Sequence, residues 1–120
     1  MNTETEAHTG QSNWTKVRRG IIKKHGNLKV TEYLNDLPVS TVSCGCVEYA
    51  PHSSTGDQAA SHSGIEFLIL IEGEIIVDVD GKSYRLAAGD SIEFDAQLPH
   101  RGRNPNEGIA KAVYLYLYPS

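Results

Sequence analysis

A chain of 120 residues, 39% hydrophobic and 22% charged, has material for one core and too little for two independent ones. Its longest apolar run, Phe67–Ile71, is far below the roughly 20 residues that cross a bilayer, so no spanning helix and no membrane partner are expected. The N-terminus lacks the charged-then-apolar pattern of a signal peptide, and two cysteines are too few for a disulfide framework, so a cytoplasmic protein with reduced thiols is expected.

The formal charge of −4 is unevenly spread. Residues 1–13 carry −2, residues 14–31 carry +6 and residues 32–120 carry −8. A basic stretch beside an acidic body reads as a solvated early strand, and an acidic protein with one basic edge is not expected to bind nucleic acid by itself.

Met1–Asn13 has no apolar periodicity and is expected to be a disordered arm, with residues 14–120 as a single domain. Between Trp14 and Tyr33, six apolar residues (Trp14, Val17, Ile21, Ile22, Leu28 and Val30) suffice for a strand pair covering a sheet edge. From there the pattern has period two. Thr41–Tyr49, Ile65–Ile71, Ile75–Asp80, Lys82–Ala87, Ser91–Phe94 and Ile109–Tyr118 are rich in β-branched and aromatic residues and predict strands. Asp80-Gly81 is the best hairpin signal, because a two-residue type I′ loop needs φ > 0 at both positions. No window carries a helical stripe. The expected fold class is all-β: a sandwich, jelly roll or closed barrel.

His62, Glu66 and His100 are the polar residues most able to carry chemistry. Glu66 begins the most apolar strand of the chain, where its side chain should be dry. In an extended chain His62 and Glu66 would stand roughly 13 Å apart at ~3.3 Å per residue, so sharing one ion needs a bend, which Gly64 would tolerate. A hairpin return after Ser91–Phe94 could bring His100 opposite that pair. Two imidazoles and a carboxylate are the facial set that leaves positions open on Fe(II) or a similar ion. Spacing alone leaves a metal site and three separate surface residues equally open.

These motifs resemble those of the cupins. His62, Glu66 and Gly73 fall on the second His, the Glu and the last Gly of the cupin first motif, and Gly89, His100 and Asn104 match the second motif at full spacing. The resemblance covers roughly Tyr49 to Pro119. It implies a double-stranded β-helix, the jelly-roll barrel, with one divalent transition metal inside, and it implies that His62, Glu66 and His100 are its ligands. The family's first metal His falls on Ala60, which cannot ligate, while Asp95 and Gln97 replace the second motif's Pro and Gly. The remaining set resembles cupins that hold mononuclear iron through two His and one Glu, which favours Fe(II), with Mn, Ni or Zn as alternatives.

Further phrases, Gly64–Leu68, Ala88–Ile92 and Leu98–Asn104, look like the sensor cupins of helix-turn-helix regulators. No helix-turn-helix pattern precedes them here, so DNA binding is not carried over. Period two puts Leu68 and Leu70 on the face of Glu66 as pocket-wall candidates. Tyr114 and Tyr116 share a face of the last strand, to offer phenols to a ligand or to line a strand exterior. Cys44 and Cys46 read as small buried hydrophobes, and His52 as a stand-in for the absent ligand.

Two functions follow as expectations. One is a mononuclear metal-dependent enzyme of oxygenase, isomerase or lyase type acting on a small polar molecule. The other is a non-catalytic sensor-like module binding a small ligand. By the same resemblance, a homodimer packed through the N-terminal strands is expected.

Overall fold

The computed structural model of the protein describes Thr15 and residues 17–34, 42–55 and 61–118. The expected arm Met1–Asn13, as well as Trp14 and Ala60, lies outside these residues. No helix occurs among the described residues, which form ten strands: β1 (Ile21–His25), β2 (Leu28–Leu34), β3 (Val42–Tyr49), β4 (Ser53–Ser54), β5 (Ile65–Glu72), β6 (Glu74–Val79), β7 (Lys82–Ala87), β8 (Ser91–Asp95), β9 (His100–Asn104) and β10 (Ala110–Leu117).

All pairings are antiparallel. A six-stranded sheet runs β1-β2-β3-β10-β5-β8 and faces a four-stranded sheet β4-β9-β6-β7, the all-β jelly-roll barrel expected. Alternation along each strand decides what points inward. On β5, Glu66, Leu68 and Leu70 are buried; on β6, Ile75, Val77 and Val79; on β10, Ala110, Ala112 and Tyr114. Leu70 and Ile75 are wholly buried at the centre of this core. Each such side chain contributes roughly 1.5–3 kcal/mol by leaving water.

The β6–β7 hairpin turns at Asp80-Gly81 with φ of 51° and 81°, the two positive values that a type I′ loop demands. Strands β4 and β9 were not expected from sequence. The anticipated early strand pair exists as β1 and β2 at one edge of the larger sheet, but all of β1 is exposed, including Ile21 and Ile22.

The outer face of the smaller sheet carries an ion-pair cluster. The register sets Asp78 on β6 opposite Arg101 on β9 and Ser83 on β7. Asp78 accepts two hydrogen bonds from Arg103, at 2.8 and 3.3 Å, one from Ser83 Oγ at 2.6 Å and a longer one from Arg101 at 3.5 Å. The hydrogen bonds of Arg103 dominate, and they hold the Asp78 carboxyl down at about 2.

Candidate metal centre

Glu66 lies on β5 between Phe94 of β8 and Tyr116 of β10, facing the barrel interior. His62 precedes the strand, and the bend between them falls at Gly64. There φ is +109°, and an added Cβ would run into the Leu117 carbonyl oxygen, so no other residue fits without strain. His100 opens β9 on the facing sheet, opposite Val79, and is buried. Two sheets and one bend therefore bring together three residues spread over 39 positions of sequence. Their ligand-capable atoms all lie within 4.8 Å of one another.

The hydrogen bonds around the imidazoles fix their protonation. His100 Nδ1 is 2.8 Å from the Leu98 carbonyl, and His62 Nδ1 is 3.3 Å from the Ser63 carbonyl. A carbonyl oxygen can only accept, so each Nδ1 carries the proton and donates it. Each ring then turns its Nε2 toward the interior, beside Glu66. His100 Nε2 is 3.2 Å and His62 Nε2 3.5 Å from Glu66 Oε1, and among the described residues no well-aligned hydrogen bond reaches that buried oxygen.

Burial pushes the Glu66 carboxyl above its ordinary range, and the nearby imidazoles of His100 and His62 offset this only in part. Two imidazole nitrogens and a buried carboxylate oxygen crowded together call for a cation or a proton among them. A divalent ion fits the set on three marks: donor types, convergence and backbone-anchored tautomers of the kind that orient ligating histidines.

Beside this group is a cavity of about 350 Å³, lined in part by Tyr49, Leu68, Phe94, Tyr114 and Tyr116 together with the three residues above. Leu68, Tyr114 and Tyr116, named from the strand pattern as pocket candidates, are among the lining residues. Leu70, two residues on along the same face, is part of the apolar core and does not line the cavity. The Tyr116 ring lies 5.6 Å from that of His62, and Phe94 lies 4.9 Å from His100, centre to centre.

Tyr49, on β3, was missed. Its hydroxyl reaches across to β9, where a Cβ on Gly102 would stand 2.8 Å from it. Burial raises the phenols of Tyr49 and Tyr116, the Glu66 charge raises them further, and burial pushes Tyr114 up to about 12. All three remain protonated hydroxyls at neutral pH.

His52 does not join the group. It occupies a turn at φ 56° and pairs with Glu107 at 2.7 Å. Cys44 and Cys46 are free and half-buried. Asn104, the last residue of the second motif, is wholly buried. Its Nδ2 donates to the carbonyls of Tyr49, Ala50 and Gly108, and its Oδ1 accepts from the Asn106 amide, a structural role.

A jelly roll with an inward-facing His/Glu/His set defines the class of protein, a small β-barrel with the donor set of a mononuclear metal centre. The family follows from comparison: the model described as Cupin_2, cupin domain, matches residues 45–116, and the chain belongs to the cupin family. The HTH-type transcriptional regulator PuuR of Escherichia coli (strain K12) is 32% identical over 79 residues, 66% of this chain and 42% of that protein, so the match spans less than half of the relative's length. Among solved structures, the Cupin_2 domain of an XRE family transcriptional regulator from Enterobacter cloacae superposes with a TM-score of 0.71 at 21% identity, covering 78% of this chain and 99% of that one. A Cupin 2 conserved barrel domain protein from Salinispora arenicola gives 0.73 at 19% identity, over 90% and 92%. At such identities the structural likeness concerns the fold alone.

Proposed function

We propose that this cupin holds one divalent transition metal through His62, Glu66 and His100 and takes a small polar molecule into the adjoining cavity. The observation that carries the reading is the convergence of His62, Glu66 and His100, whose ligand-capable atoms lie within 4.8 Å of one another around the buried Glu66 Oε1. Such an ion, Fe(II) in the favoured case, supplies Lewis acidity or redox chemistry to a molecule that shares it. The chain's own residues do the rest. The two imidazoles are held in their tautomers by backbone carbonyls, the apolar walls exclude water, and the phenols offer protons for hydrogen bonding.

The catalytic form of the proposal is an oxygenase, isomerase or lyase. The similarity to a transcriptional regulator favours a second form, in which the same site binds an effector without converting it. Elemental analysis after reconstitution with Fe, Mn, Ni and Zn tests the metal. About one ion per chain, removable by chelator, is the expected result, and none with any of the four overturns the reading. Single-turnover assays of the loaded protein with candidate small acids and alcohols then separate conversion from binding.

We also propose a single domain over residues 14–120 and a homodimer built through the β1–β2 edge, in the cytoplasm. The exposed Ile21 and Ile22 support such an edge contact. A light-scattering mass near twice that of the chain is expected, and a monomer mass overturns the dimer.

A further inference from the structure

Tyr49 is 2% exposed and lines the cavity, and among the described residues its hydroxyl makes no hydrogen bond. Tyr116, partly buried, lines the same cavity, and among the described residues its hydroxyl likewise makes no hydrogen bond. A buried phenol ordinarily finds an acceptor, because leaving its O–H unsatisfied forfeits the hydrogen bond it had in water. Tyr118, exposed and outside the cavity, bonds Ser43 Oγ at 3.3 Å and serves as the control phenol.

Two further facts point the phenols at a ligand. Tyr116 pairs with Glu66 across the β5–β10 register and its ring lies 5.6 Å from that of His62, while Tyr49 lines the same cavity as the His/Glu/His set. Gly102 leaves open the space into which Tyr49 extends; a Cβ there would stand 2.8 Å from the Tyr49 oxygen. The cavity thus contains two phenol donors that no described residue receives.

Charge selects the acceptor. With two neutral imidazoles and one carboxylate, a divalent ion leaves the centre at +1, so the complementary guest is an anion with oxygen acceptors. We infer that Tyr49 and Tyr116 are a recognition pair for the oxygens of a small carboxylate bound in the cavity. This inference rests on the metal-binding reading above and gives it a ligand class. It extends that reading to Tyr49, a residue outside the three-residue metal set.

The test uses the full chain loaded with Mn(II), with malonate as probe and propane-1,3-diol and 1,3-diaminopropane as neutral and cationic comparators of the same length. Calorimetric titration is expected to show malonate binding at least tenfold tighter than either comparator. Tyr49→Phe and Tyr116→Phe are each expected to weaken malonate about tenfold, with Mn(II) affinity by electron paramagnetic resonance unchanged. Gly102→Ala, which crowds the Tyr49 hydroxyl without removing it, is expected to weaken malonate as well, while Tyr118→Phe leaves it unchanged.

Equal binding of malonate and the diol, tighter binding of the diamine, or an unaltered malonate affinity in both phenylalanine variants overturns the inference and leaves the metal reading standing. Failure of Fe, Mn, Ni and Zn alike to bind the wild-type chain overturns both.

Discussion

Glu66 and Asp78 are carboxylates on neighbouring stretches of one barrel, one facing in and one facing out, and their surroundings act in opposite directions. Asp78 accepts hydrogen bonds from Arg103, Ser83 and Arg101, and its carboxyl is held down at about 2. Glu66 has an oxygen that no well-aligned hydrogen bond reaches among the described residues, and burial drives its carboxyl up. Asp78 has every partner it needs within the chain, so it ties β6, β7 and β9 together. Glu66 lacks such a partner, and folding around an unmatched carboxylate costs stability. In this barrel the carboxylate matched by cationic partners ties strands together, and the one facing the interior is the one the proposed function assigns to a bound ion.

The largest effect expected from breaking this contrast is on the metal. Glu66→Gln should lower Mn(II) affinity at least about 100-fold, and His100→Ala and His62→Ala should do the same. The metal-free Glu66→Gln protein should melt no lower than wild type, because the change removes a buried charge. Retained metal in Glu66→Gln, together with a lower melting point, would make Glu66 a structural group like Asp78.

Next comes Asp78→Asn, which should leave metal affinity unchanged and lower stability by about 1 kcal/mol, or roughly 4–8 °C in melting temperature. Denaturation with and without metal measures both quantities.

The two carboxylates should also give pH dependences of opposite sign. The folded-state value of Asp78 is depressed from 3.8, so its contribution is present above about pH 4 and lost as pH falls toward 2. That of Glu66 is raised from 4.5, so the folded metal-free chain holds this proton more tightly than the unfolded chain does. Its stability should therefore fall as pH rises from 4.5 through the raised value. Urea midpoints of metal-free protein across pH 3–8 should show both slopes, the second absent in Glu66→Gln and the first absent in Asp78→Asn.

The smallest effect concerns Glu74, whose pair with Arg85 at 3.1 Å is about half exposed on both sides. Glu74→Gln should stay within about 0.5 kcal/mol of wild type, the size typical of a surface ion pair.

Much of this was written in local pattern. Strands β5 to β8 and β10 were legible to within a residue or two because inward apolar residues alternate with outward ones, as in Ile75, Val77 and Val79. The bend at Gly64 and the loop at Asp80-Gly81 were legible because few residues tolerate positive φ. Strand β9 was not, since its inward residues His100 and Asn104 are polar and its outward Arg101 and Arg103 answer Asp78 on another strand. Two residues of β4 are too few to show any period. Of the site, the three donor residues were legible from motif and spacing. Tyr49 was not, because its reach to Gly102 depends on how β3 faces β9, a non-local fact that no window of sequence contains.

Asn104 has a consequence for the order in which the barrel assembles. Its side chain joins the backbone of Tyr49 and Ala50, 55 and 54 positions away, to that of Gly108 four positions on. None of the distant bonds can form until β3 and β9 have found each other, so the clasp belongs to the late, loop-closing phase of folding rather than to any local hairpin. Once closed, it also holds the Asn106 amide through Oδ1. Breaking the clasp with Asn104→Ala would release the Tyr49–Ala50 and Gly108 backbones together, so its loss should be felt at both ends of a 55-residue loop.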